Sequence, residues 1–91
     1  MDHVHNRYGA PVGRPEAGRW LDKATPLRLA LRRVRINRSG YDDGGAYWGL
    51  GPPLYWTGDE DGTVSRYLRA PDRAAAKRQI MTWYPAARFY R

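Results

Sequence analysis

Apolar and polar positions along this chain change period several times, and glycine- and proline-rich breaks separate the stretches. From Leu27, the pairs Leu29/Leu31 and Val34/Ile36 alternate with period two, offset by one residue at Arg32-Arg33. That pattern predicts a strand with a bulge or a late start, running to about Arg38. Residues 39–45, Ser-Gly-Tyr-Asp-Asp-Gly-Gly, are turn chemistry. A second extended segment is expected over residues 46–56, broken at Gly51-Pro52-Pro53. Proline donates no ladder hydrogen bond, so that break marks a bend, a bulge or an edge. Residues 58–62 read as a loop and residues 63–69 as a third strand. Its inward face is ambiguous, with Val64 and Leu68 on one side and Tyr67 on the other.

The helix has the clearest signature. Asp72 is a good N-cap, Pro71 keeps the preceding chain extended, and Pro85 stops a run of helix formers over Arg73–Tyr84. Ala76, Ile80 and Trp83 fall at i, i+4 and i+7 and make one apolar stripe. Residues 87–91 have room for a short final strand. The expected fold is therefore α+β: a small antiparallel sheet of three to four strands with one helix on one face, in the order β-β-β-α, closed by a short β. Pro11, Gly13, Pro15, Gly18 and Pro26 leave no period in residues 1–27, which read as an irregular arm pinned at Trp20 and Leu21. Residues 28–91 read as one compact domain.

Composition changes this picture in two ways. The 91 residues contain no cysteine, so neither a disulfide framework nor a thiolate zinc site supplements a small core, and a reducing, cytoplasmic setting is expected. Four Trp, seven Tyr and one Phe must supply much of the buried surface. No apolar run approaches the roughly 18 residues that span a bilayer, so no membrane partner is expected.

Charge is also uneven along the chain. The net charge of +7 divides into +1 over residues 1–27, +5 over 28–38, −5 over 39–62 and +6 over 63–91. The expected surface is bipolar, with acidic loop tips and a basic face of Arg33, Arg35, Arg38, Arg66, Arg69, Arg73, Lys77 and Arg78. Arginine forks match carboxylate and phosphate oxygens equally well. The doublets Tyr47-Trp48 and Tyr55-Trp56 lie among these charges and, like Trp83-Tyr84, should send one ring inward and one outward. Outward rings could stack bases, anchor a protein interface, or complete a thin sheet under the arm.

Catalytic constellations are not evident. His3 and His5 lie in the arm with no third ligand, and Ser39 and Ser65 have no histidine in a predictable setting. Asp59-Glu60-Asp61-Gly62 lacks the alternating ligands and distal glutamate of a calcium loop. Asp42 and Asp43 with Lys77 have no compelling metal-nuclease spacing. No catalytic residue, metal or cofactor is expected, and the chain reads as a binding protein.

Gly40-Tyr41-Asp42, Tyr47-Trp48-Gly49, Pro53-Leu54-Tyr55-Trp56 and Arg69-Ala70, within residues 33–91, resemble small proteins encoded by phages and mobile elements of proteobacteria. The resemblance implies a setting but transfers no site residue. Such proteins include stoichiometric inhibitors of host defence, among them anti-CRISPR proteins, and small factors that handle phage DNA. The expected partner is then a host protein or ribonucleoprotein complex of a defence system. The alternative is direct binding of nucleic acid through phosphates.

Overall fold

The structure is a computed structural model that describes residues 14–19, 21, 22 and 24–90. Its strands are β1 (Leu27–Val34), β2 (Leu54–Gly58), β3 (Ser65–Arg69) and β4 (Ala87–Phe89), and its helix α1 (Arg73–Trp83) lies between β3 and β4. The fold is α+β, as the residue pattern predicts.

β1, β2 and β3 form an antiparallel meander with Leu31 opposite Thr57 and Tyr55 opposite Leu68. The final strand does not extend that pattern. β4 joins the far edge of β1 in parallel, pairing Leu27 with Ala87 and Leu29 with Phe89, so the sheet is mixed and its order is β3-β2-β1-β4. Two reversals make β3 parallel to β1, and hence to β4. The connection β3-α1-β4 is therefore a split βαβ unit whose helix crosses over β2 and β1.

Alternation along the strands decides what the helix covers. Leu29 and Leu31 of β1, Tyr55 and Thr57 of β2, and Leu68 of β3 point to one face, where Val64 continues the row. Ala76, Ile80 and Tyr84 meet them, and all three are almost fully buried. Burial of an aliphatic side chain such as Leu29 or Ile80 stabilises by about 1.5–3 kcal/mol. The helix starts where Asp72 accepts a 2.8 Å bond from the Ala75 N–H. It ends where Tyr84 N–H bonds Ile80 C=O ahead of Pro85. Trp83 packs against the core without being fully buried.

Strand boundaries differ from expectation. β1 stops at Val34 rather than near Arg38, the second strand is Leu54–Gly58, starting late in the expected segment and running past its end at residue 56, and the third starts at Ser65 rather than residue 63. The segment between makes isolated bridges, Ile36 with Asp42 and Tyr41 with Tyr47, instead of a continuous ladder. Gly40 explains the fold-back. It adopts φ +90° and its C=O accepts from both Trp48 and Gly49 N–H, so closely that a Cβ there would lie 2.8 Å from Gly49 Cα.

The described part of the arm is docked. Ala17 and Ser65 exchange main-chain hydrogen bonds, and the Glu16 carboxylate accepts a 2.8 Å bond from Tyr67 N–H. The outer edge of β3 is thereby covered. Tyr84 donates its hydroxyl to Gly18 C=O, and Leu21 packs against the core. His3, His5 and Trp20 lie outside the described residues.

Candidate functional site

The sheet face opposite the helix carries a second layer built from rings and arginines. Trp56, Arg32 and Tyr67 occupy one cross-strand row on this face. The Trp56 indole lies along its own strand because Gly58 leaves the space: a Cβ at Gly58 would come within 2.3 Å of it. Its N–H bonds Ser65 Oγ at 3.0 Å, and the Arg32 guanidinium covers its ring at 4.5 Å. Tyr67 is covered in turn by Trp48, with ring centroids 4.5 Å apart.

Asp42 ties this layer together. Its side chain is only 7% exposed and accepts from Arg14 Nε and Nη2, each at 3.0 Å, and from Trp48 Nε1 at 3.1 Å. The Gly44 and Ala46 N–H groups donate to it as well, both at 2.9 Å. Burial alone would push this carboxyl up. The bonds from Arg14, Trp48 and Ala46 outweigh burial and hold it down at about 2. Asp42 in turn raises Arg14, and burial raises the Tyr67 phenol.

Beside this layer the chain over residues 48–53 is tied to β3. Arg69 sends its guanidinium to three carbonyls, those of Trp48, Gly49 and Pro52, at 2.9, 3.0 and 2.7 Å. The fixed loop and the end of β1 enclose a cleft of about 500 Å³. Val34, Leu54 and the prolines Pro52 and Pro53 give it apolar walls, while Arg33 and Arg35 line it as exposed cations. Leu50 stands at this cleft 71% exposed. A second hollow, of about 470 Å³, adjoins it across Arg33–Arg35 and reaches Arg32, Asp42 and Trp56.

The residues read from sequence as a binding face are thus distributed over several environments. Arg33, Arg35 and Arg38 are exposed and make no ion pair among the described residues, and Arg33 and Arg35 meet at the cleft. Arg73 is exposed at the start of α1 and donates to Leu31 C=O at 2.9 Å, while Arg78 is exposed farther along that helix. Lys77 lies over the Phe89 ring at 5.4 Å. Arg66 is not on the expected basic face. It is 9% exposed on the helix side of the sheet, stacked 3.6 Å from the Trp83 ring, and its buried Nε has no hydrogen-bond partner among the described residues. Arg69, half-buried on the opposite face, lines the cleft but has its guanidinium engaged by carbonyls.

Among the rings, Tyr55 belongs to the helix-side core and Trp48 is buried against Tyr67. Tyr47 is half-buried, edge-on to Tyr41 at 5.1 Å, and Trp56 is half-buried beneath Arg32. Sequence reasoning missed Leu50, Arg32 and Arg14. An isolated leucine between two glycines was the only available signal for Leu50. Arg32 lies in the same run as Arg33 and is distinguished from it only by the face it occupies.

Among the described residues no group of His, Cys, Asp and Glu is placed to hold a metal ion, and no helix is long and apolar enough to cross a membrane. Comparison with protein-family models, curated proteins and solved structures finds no match to this chain.

Proposed function

We propose that this chain is a non-enzymatic binding protein that docks on an acidic protein surface through the cleft at Arg33, Arg35 and Leu50. The observation that carries the proposal is the meeting of two exposed arginines, without an ion pair among the described residues, with an exposed leucine on a loop already tied down by Arg69. An anchor held in place before binding loses little conformational entropy on contact. The resemblance of residues 33–91 to proteins of phages and mobile elements supplies the setting: stoichiometric inhibition of host defence machinery that handles nucleic acid, as anti-CRISPR proteins do, inside a bacterial host. That setting rests on sequence likeness alone.

Direct binding of nucleic acid is the second reading, and the cluster of exposed Arg33, Arg35 and Arg38 favours it. The rings speak against its single-stranded form. Base stacking needs an open ring face, whereas Tyr55 and Trp48 are buried and Trp56 is covered by Arg32.

Affinity capture from a host lysate tests the reading. One dominant protein or complex is expected, and the triple variant Arg33→Glu, Arg35→Glu, Arg38→Glu should lose it while keeping its circular dichroism spectrum. Unchanged capture by that variant would remove this face from the interface. Retardation of arbitrary DNA or RNA that weakens steeply with salt would favour phosphate contacts instead.

A further inference from the structure

The proposed docking function leaves open what kind of segment the cleft accepts, and its chemistry narrows the choice. The walls are apolar: Val34, Leu54 and Pro52 line a space of about 500 Å³, with Leu50 beside them. That volume lies within the roughly 300–1,000 Å³ of small-molecule sites, so it has room for one or two side chains rather than a whole helix face. The charged groups at the cleft are all cations. Arg33 and Arg35 are exposed, whereas the third, Arg69, has its N–H groups engaged by main-chain carbonyls. Among the described residues no carboxylate lines this cleft.

From this we infer that the cleft takes a linear peptide segment with one bulky apolar side chain flanked by carboxylates. The apolar side chain fills the space beside Leu50 and Val34, and the flanking carboxylates meet the guanidinium forks of Arg33 and Arg35. The inference rests on the docking reading above and specifies its partner. A phosphate backbone would satisfy the arginines but leave the apolar walls wet. An uncharged apolar peptide would fill the walls but leave the neighbouring cations without partners. Only the combination matches both halves of the site. The division of labour follows from exposure: rim arginines steer encounter, and the apolar contact governs residence.

The test uses the full chain, labelled with nitrogen-15 and titrated with synthetic ten-residue peptides. These peptides are rich in Asp and Glu around one central Leu, Phe or Trp. Matched controls replace the central residue by Ser or the acids by Lys, and a single-stranded oligonucleotide forms a separate arm. Amide shifts are expected at residues 33–35, 49–51 and 54, with at least tenfold weaker binding for both peptide controls. Leu50→Ser should weaken the anchored acidic peptide about tenfold, since its apolar contact with the central side chain is lost. Arg33→Gln with Arg35→Gln should weaken it too and flatten its salt dependence.

Equal binding of the Ser control would overturn the inference. So would the absence of shifts at these residues, or a stronger response of the same amides to the oligonucleotide. Lysate capture separates this failure from failure of the broader reading. If Leu50→Ser captures the partner as well as the parent while the arginine triple variant does not, docking stands and the peptide chemistry falls. If the triple variant also captures it, the docking reading itself falls.

Discussion

Asp42 accepts five hydrogen bonds from side chains and main chain, and only an ionised carboxylate can accept all of them. Its value of about 2 lies below the ordinary 3.8, so the charged form is favoured by folding. The stabilisation it supplies is complete above about pH 4 and disappears as pH falls through about 2. Carboxyl carbon NMR across that range should give a midpoint near 2. Arg14→Ala should move the midpoint upward, because burial then faces less opposition. Asp42→Ala should cost about 1–3 kcal/mol in urea denaturation, the penalty for leaving the part-buried Trp48 and Ala46 donors without a partner. Asp42 was legible in the sequence only as turn chemistry. Its role as a hub depends on Arg14 and Trp48 arriving from elsewhere in the chain. Arg66 was illegible for a related reason. Alternation with Val64 and Leu68 put it on the inward face, and only the Trp83 ring supplied by α1 makes that placement tolerable.

At the scale of elements, the parts fixed by local chemistry were readable and those fixed by distant partners were not. Asp72 and Pro85 bound α1 in sequence as they do in space, and Ala76 and Ile80 are its buried residues. By contrast, residues 46–53 have the rings and alternation of a strand, yet the close approach of Gly40 to Gly49 turns them into a loop. Arg69 then holds that loop from β3. Arg69→Ala should therefore lower the urea midpoint, by about 1–3 kcal/mol in stability, and speed amide exchange at Trp48 and Gly49. Arg38→Ala, on an exposed residue with no ion pair among the described residues, should leave both unchanged. The candidate cleft was half readable: its arginines stood out by sequence density, whereas Leu50 gained meaning only when Arg69 fixed its surroundings.

Across the whole molecule, the two sheet faces are finished differently. The helix closes one, and the loop over residues 36–53 with Arg14 closes the other, which is how a thin sheet accommodates so many rings. The arm belongs to this arrangement through Ala17, Glu16 and Gly18. Removing residues 1–19 should lower stability and expose the Ser65 and Tyr67 main chain. Analytical ultracentrifugation should then report self-association through β3 that the intact chain does not show.

The parallel pairing of β4 with β1 has a consequence for the order of events during synthesis. β1, β2 and β3 can meet as soon as they emerge from the ribosome, since each is antiparallel to its successor. The strand that seals the other side of β1 arrives about 60 residues after β1 begins, behind the whole of α1. Until then the nascent sheet exposes the Leu27–Leu29 edge and much of the apolar face that α1 will cover. The core is therefore complete only after α1 and β4 have followed β3 out of the ribosome, and chaperone contact or mispairing during synthesis should concentrate at that edge.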